Sequence, residues 1–476
     1  MKSINKSRFA AWHAALPITA GLFAVALPAA AFSSTISIQG VLPVAADQPQ
    51  INAVIRTSAA SGTELTTSGG YYTIQAFLDS GTSGILLSQS TWTGLGVNQS
   101  TTVGSSSSPV VFNDVAIGGT NPYYVSTPYY VATAPFSINT DQTLGGTPPP
   151  VSAFGNTIGP VQMELSETAN PLSQLTGSID IMGAPVMQGN VTEMDIAPAN
   201  NISSLTNPGE TQTYIYSPGT HYNPTQINTN PGIVPMQYHV QLSYASFAQF
   251  TSVTPTGATG PTLADNPFIG ANPVAAFNGT PTTNSPPGVT IGFNGQSATG
   301  SFLLDTGAVA SFISQAMAGK LGVAYAAGTY GTSNPSLISS ATGKPLANQF
   351  TLAVSGAGGS TVTAAGFFLN TLSLQTMEGT TITFDSAPVL VQDVTVTDPT
   401  TLKTMTLDGD LGMNFFEPSA SADLSQMNSS AFNWMSIDQP NSLLGLTLAS
   451  SVPEPAALML MAAAAPLLLL RRRRAI

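Results

Sequence analysis

Residues 77–97 read FLDSGTSGILLSQSTWTGLGV, and residues 303–323 read LLDTGAVASFISQAMAGKLGV. The two stretches lie 226 positions apart and agree at 8 of 21 positions without a gap. The shared pairs are Leu78/Leu304, Asp79/Asp305, Gly81/Gly307, Ser88/Ser314, Gln89/Gln315, Leu95/Leu321, Gly96/Gly322 and Val97/Val323. Each copy ends an apolar strand on an Asp and follows it with a small hydroxyl residue and a Gly. Asp-[Ser/Thr]-Gly occurs nowhere else in the chain. Two copies in register imply a duplicated lobe that brings two carboxylates, Asp79 and Asp305, together.

A second landmark follows each copy. Ile179-Asp180-Ile181-Met182-Gly183 places its Gly 104 residues after Asp79, and Asp410-Leu411-Gly412 places its Gly 107 residues after Asp305. Tyr71 to Leu78 is apolar and aromatic, as a strand requires, and Val289 to Leu304 predicts a hairpin turning at Asn294-Gly295. The residues from each Asp to Leu95-Gly96 and Leu321-Gly322 predict a short helix closed by Gly. Residues 196–287 are rich in Pro, Asn, Thr and Gly and predict long loops with the lobe crossover near 245–260; residues 98–160 are similarly turn-rich, and 101–108 (TTVGSSSS) reads as a loop.

Composition sets the class. The chain has 476 residues, beyond the usual single-core size, so two domain-sized units are expected. Only 7% of residues are charged, and 44 Gly and 36 Pro favour a β-rich body with many turns. There is no Cys, which excludes disulfides, thiol catalysis and Cys-ligated metal. The three His are His13, His221 and His239. No carboxylate neighbours His239 in sequence, and neither it nor His221 has zinc-ligand spacing. No Gly-rich phosphate loop stands between a strand and a helix, so nucleotide binding is not expected.

The two ends read as export signals. Lys2, Lys6 and Arg8 precede an apolar run from Ala14 to Leu27 and a small-residue site at Ala29-Ala30-Ala31, the pattern of a signal peptide over 1–31. A buried N-terminal helix is the competing reading. The C-terminus runs Val452-Pro453-Glu454-Pro455, then apolar residues from Ala456 to Leu470, then Arg471 to Arg474. An apolar run of that length is short for a stable bilayer span, and the Arg cluster would stay on the cytoplasmic side. Seven of the 11 basic residues lie in these ends; the body keeps four against 22 acidic residues, a net charge of −18. Such a body repels nucleic acid and anionic lipid surfaces.

Two resemblances follow from these residues. The last 25 or so residues strongly resemble the PEP-CTERM sorting signal of Gram-negative bacteria. That resemblance implies processing by an exosortase and passage to the cell surface or extracellular matrix, with the membrane touched only through residues 451–476; a plain tail anchor is the alternative. The paired Asp-hydroxyl-Gly elements with their later apolar-Gly landmarks resemble the pepsin-like, bilobal aspartic proteases. The second copy, Asp305-Thr306-Gly307-Ala308, also looks like the single-lobe retroviral type.

The resemblance implies an all-β fold of two pseudo-symmetric β-barrel lobes, residues 32–250 and 251–450, with an interlobe active-site cleft and a short C-terminal hydrophobic helix. It implies catalysis by Asp79 and Asp305 on a peptide or protein substrate, without metal or cofactor. Ser80 and Thr306 would bond across to the opposite loop, Gly81 and Gly307 would permit close approach, and Thr82 would bond the outer oxygen of Asp79. Such a dyad shares one proton because two adjacent carboxylates cannot both ionise. Three departures stand out. Ala308 leaves Asp305 without the hydroxyl that Thr82 offers Asp79. Asp410 occupies a position that is usually apolar. No segment reads clearly as a covering flap, with a Tyr from 123–130 the nearest candidate; residues 432–446 look like the closing strands of the second lobe. A noncatalytic surface or matrix protein, using the same cleft to bind a peptide or glycan, is the rival expectation.

Overall fold

The structure, a computed structural model, describes residues 34–67, 70–100, 110–112, 121–136, 149–166, 180–200, 210–216, 236–247, 260–280, 284–355, 361–397 and 404–449. The signal segment, the sorting tail, residues 101–108 and His221 lie outside the described residues. Among the described residues, no helix is long and apolar enough to cross a membrane.

Two large sheets repeat one strand order. In the first half, Gln50–Arg56, Ile74–Leu78, Ile181–Met182, Ile85–Leu87, Glu164–Ser166 and Asn121–Val125 are successive neighbours. In the second half the same places are taken by Asn266–Ile269, Phe302–Leu304, Gly409–Leu411, Phe312–Ile313, Thr381–Val391 and Thr361–Gln375. Pairing sense and register agree as well. Ile181 lies opposite Phe77 in a parallel pair and opposite Leu86 in an antiparallel one. Asp410 lies opposite Leu303 and Phe312 in the same two senses. The short central strand is thus threaded between the strand that leads to each Asp and the strand that leaves it. Ile74–Leu78 alternates buried and half-buried residues, as a strand with one face on the core should.

The loop between those flanking strands has no freedom to move away. Asp79 N donates to Met182 O at 3.1 Å, and Asp305 N donates to Leu411 O at 3.1 Å. Beyond each central strand, Ala184 N donates to Thr82 O and Met413 N to Ala308 O, both at 2.8 Å. A Cβ on Gly183 would collide with the carbonyls of Thr82 and Gly84, and one on Gly412 with those of Ala308 and Ala310. The Gly landmark is therefore a close backbone crossing that no other residue fits.

Each copy ends in a short helix, Gln89–Leu95 and Gln315–Lys320. The conserved spacing of Ser88 and Ser314 is an N-cap: each hydroxyl accepts a backbone N–H three residues on, from Thr91 and from Met317. Gly96 and Gly322 end the helical turns at φ values of +66° and +74°. The predicted hairpin turns at Asn294-Gly295, both with positive φ.

A separate five-stranded antiparallel sheet joins the halves. Its order is Gln212–Tyr216, Val191–Asp195, Phe432–Asp438, Leu443–Leu448 and Tyr238–Gln241. Residues 432–446, expected to close the second lobe, do pack into its core, and the strand Phe432–Asp438 pairs as well with Val191–Asp195 of the first half. Their apolar runs are equally suited to either edge, and only the long-range pairing decides. Two segments also cross over: Thr35–Ile38 pairs in parallel with the strand Thr381–Val391, and Ser243–Ala245 joins the second-half sheet.

The joint buries several acids. Thr211 bonds two of them, its N–H donating to Asp47 at 2.7 Å and its hydroxyl to Glu417 at 2.6 Å. Burial pushes Asp47 up to about 6, and pushes Glu417 well above the usual range, the charge of Asp47 adding to the effect. Glu193, opposite Ser436 in the joining sheet, is pushed up to about 7 by burial. Away from the joint, inside the first half, Asp180 accepts Ser88 N and Thr91 Oγ1 at 2.7 Å each and is pushed up to about 6 by burial against those bonds. Groups raised on folding stabilise fully below their unfolded values of 3.8 and 4.5, and that stability is lost as pH climbs through 6 to 7. Thermal melts at fixed ionic strength should therefore show the highest Tm near pH 4 and a fall towards pH 8. Glu193→Gln should flatten part of that slope; a Tm that rose with pH would contradict the burial of these acids.

Candidate active site

Residues 79–82 and 305–308 meet where the two sheets face one another. Four hydrogen bonds tie the loops together, and they form two reciprocal pairs. Ser80 N donates to Thr306 Oγ1 at 2.9 Å, and that hydroxyl donates to Leu78 O at 2.6 Å. Thr306 N donates to Ser80 Oγ at 3.0 Å, and that hydroxyl donates to Leu304 O at 2.6 Å. Ser80 and Thr306 are both 0% exposed, so these bonds have no competing water.

The lock sets the carboxyls face to face. A Cβ on Gly81 would sit 2.5 Å from Asp305 Oδ2, and one on Gly307 would sit 2.5 Å from Asp79 Oδ2. Each carboxyl thus lies over the glycine of the opposite loop, and the two carboxyls are within hydrogen-bonding reach of each other. Both Asp residues keep partial solvent exposure while the residues beside them are buried. Asp79 is well supplied with donors: Gly81 N at 2.8 Å and Thr82 N at 3.0 Å on Oδ1, and Thr82 Oγ1 at 2.7 Å on Oδ2. Asp305 receives Gly307 N at 2.8 Å on Oδ1, and position 308 offers no hydroxyl. Burial holds Asp305 well above the usual carboxylate range, with the charges of Asp79 and then Asp410 adding to it. This is the asymmetry that proton sharing needs.

Several participants escape a sequence reading. The side-chain amide of Asn266 donates to Ser80 O at 2.8 Å, and its oxygen accepts the Ser83 hydroxyl. In near symmetry, the Gln48 amide donates to Gly307 O. These amides reach across 186 and 259 residues, and an isolated Asn or Gln in a turn-rich stretch carries no local signal. Asp410 was visible as an acid in an apolar slot. The structure adds that it is 5% exposed, that its carboxyl reaches Asp305, and that its Oδ1 has no hydrogen-bond partner among the described residues.

Other candidates move away from the site. Tyr124 and Tyr129 do not cover the dyad but belong to the first-half core. Tyr124 packs edge-on to Trp92 with centroids 6.5 Å apart, and the Tyr129 hydroxyl accepts Asn98 N at 3.0 Å. His239, without a carboxylate near it in sequence, pairs with Glu378 at 2.7 Å in space.

The two lobes in register, the joining sheet and the paired loops define the architecture. The fold is all-β and bilobal, with two lobes of one strand order. No protein-family model matches the chain, and a comparison with curated proteins finds no match. Among solved structures the chain is similar to the crystal structure of an aspartic proteinase from Irpex lacteus, at 11% identity and a TM-score of 0.34. That alignment covers 87% of this chain and 99% of the other. A likeness this faint carries no argument about chemistry, which rests on the geometry above.

Thr306→Ala removes both the acceptor of Ser80 N and the donor to Leu78 O. Leaving these two buried backbone groups unpaired should cost on the order of 2–5 kcal/mol, read from denaturant midpoints at constant m-value. Thr306→Ser, which keeps the hydroxyl, should recover most of it. Equal losses in the two variants would show that the methyl packing, not the lock, carries the stability.

Proposed function

We propose that the protein is an aspartic endopeptidase that hydrolyses peptide bonds through Asp79 and Asp305. The observation that carries this reading is the pair of carboxyls within mutual hydrogen-bonding reach, held by reciprocal buried bonds, one of them raised well above its usual range. Asp305 holds the shared proton. Asp79, fixed by three donors, accepts a proton from a water held between the carboxyls, and the water oxygen bonds to the peptide carbonyl carbon. Asp305 gives its proton to the carbonyl oxygen. As the tetrahedral diol collapses and its C–N bond breaks, the proton on Asp79 goes to the leaving amine and one diol hydroxyl returns its proton to Asp305, leaving a carboxylic acid and the starting dyad. No acyl-enzyme or metal is required, which suits a chain without Cys.

The same reading places the activity outside the cytoplasm: residues 1–31 direct export, 32–450 form the bilobal body, its lobes dividing near residue 250 apart from the exchanged strands, and 451–476 are processed by an exosortase at the membrane. The body is then delivered to the cell surface or extracellular matrix, where its net negative charge keeps it from nucleic acid.

A peptide-library digest at acidic pH tests the proposal. Asp79→Asn and Asp305→Asn should each lower turnover by at least ~10³-fold, and the double variant should lose little more, since the pair acts as a unit. Cleavage that persisted in either variant would remove the dyad. A folded wild type inert from about pH 3 to pH 7 would favour a binding protein on the same lobes.

A further inference from the structure

We propose that Asp410 is a positioning residue of the dyad, a protonated third carboxyl that donates a hydrogen bond to Asp305 in place of the hydroxyl missing at position 308. The proposal deepens the aspartic-peptidase reading and rests on it for the catalytic consequence.

The internal symmetry of the molecule makes the substitution visible. Thr82 and Ala308 are equivalent: the carbonyl of each accepts the N–H of the residue after the landmark Gly, Ala184 or Met413. In the first lobe, Thr82 Oγ1 donates to Asp79 Oδ2 at 2.7 Å. In the second lobe that donor is gone. Ile181 and Asp410 are equivalent too, each opposite the residue two before the dyad Asp and each opposite the matching residue of the outgoing strand. The first lobe therefore pairs a hydroxyl with an apolar residue, and the second pairs a methyl with an acid. The donor has moved from the loop to the central strand.

A carboxyl can fill this place only while it carries a proton. Asp410 is 5% exposed, on the sheet face it shares with its register partners Leu303 and Phe312. Among the described residues no cation acts on it; the titratable groups that face it are Asp305 and Asp79. An ionised carboxylate there would be a buried charge beside two other acids, with its Oδ1 unpartnered. Burial accordingly pushes Asp410 up to about 8, with the Asp79 charge adding and the contact with Asp305 opposing. In the state with two protons on the three carboxyls, the hydrogen bonds form a chain. One runs from Asp410 to Asp305 and the other from Asp305 to Asp79. Asp305 is thereby fixed from its outer side, as Thr82 fixes Asp79.

Two arms test this, and the first does not depend on catalysis. A folded Asp410 that retains its proton up to about 8, against 3.8 when unfolded, destabilises the protein increasingly as pH rises between those values. Asp410→Asn escapes this, so its Tm should exceed the wild type's by a margin that is absent near pH 4 and grows towards pH 8. In an Asp305→Asn background the new amide can donate to an ionised Asp410, and the margin should shrink. A margin that does not grow with pH, or that is the same in both backgrounds, overturns the proposal.

The second arm reads kinetics on the peptide that the wild type cleaves. Asp410→Ile, which copies Ile181, should lose ~100-fold in kcat with KM little changed, the scale of a misplaced catalytic group. Asp410→Asn, which keeps a donor, should lose less. Ala308→Thr added to Asp410→Ile should restore most of the activity by returning the hydroxyl. An Asp410→Ile enzyme with wild-type kcat and pH profile, or no rescue by Ala308→Thr, overturns the positioning role. A wild type that cleaves nothing fails the peptidase reading instead, and the Tm margins alone then decide whether Asp410 donates to Asp305.

Discussion

Everything at the centre of this molecule depends on two buried hydroxyls. Ser80 and Thr306 each accept a backbone N–H from the opposite loop and donate to a carbonyl on the opposite strand. Neither loop can satisfy these groups alone, because Leu78 O and Leu304 O are turned towards the other half. The halves must therefore meet in one relative position or leave buried polar groups unpaired, a penalty far larger than the gain from any single bond. That obligation brings Asp79 and Asp305 into mutual reach. The glycines make it sterically possible, since any side chain at 81 or 307 would occupy the space of the opposite carboxyl.

Around this lock the halves are joined again and again. The five-stranded sheet interleaves strands from before and after the crossover, and the Asn266 and Gln48 amides reach over to the loop carbonyls. The acids buried in the joint give it a sign with respect to pH. Asp47, Glu193 and Glu417 carry raised values, so protons tighten the folded state. The body's net charge of −18 acts in the same sense, because self-repulsion grows as carboxyls ionise. A scaffold held this way suits chemistry performed in acid, where its dyad would also keep the shared proton.

What could be read in advance was local. Asp79, Asp305, the hydroxyl-Gly pairs, the Ser caps at 88 and 314 and the Gly stops at 96 and 322 sit within one repeated window, where backbone geometry dictates residue type over a few positions. The Asn294-Gly295 turn is legible for the same reason. Partners separated by long stretches of chain were not. Asn266, Gln48 and the His239–Glu378 pair depend on how strands from distant segments lie together. Residues 432–446 were recognisable as strands but not as strands of a shared sheet, since an apolar run fits any vacant edge. Tyr124 and Tyr129 show the converse: aromatic pairs in a turn-rich region suggest a covering flap, yet they fill the first-half core. Asp410 stood out as an acid in an apolar slot, but only the symmetry of the two lobes connects it with the methyl at position 308.

The dyad itself is tested most directly by calorimetric titration with a statine-type peptide, whose tetrahedral hydroxyl takes the place of the attacking water between the carboxyls. The account predicts one site per chain at acidic pH, with affinity that weakens as pH rises and is lost in Asp305→Asn. Absence of binding to the folded wild type, or equal affinity in Asp305→Asn, would contradict it.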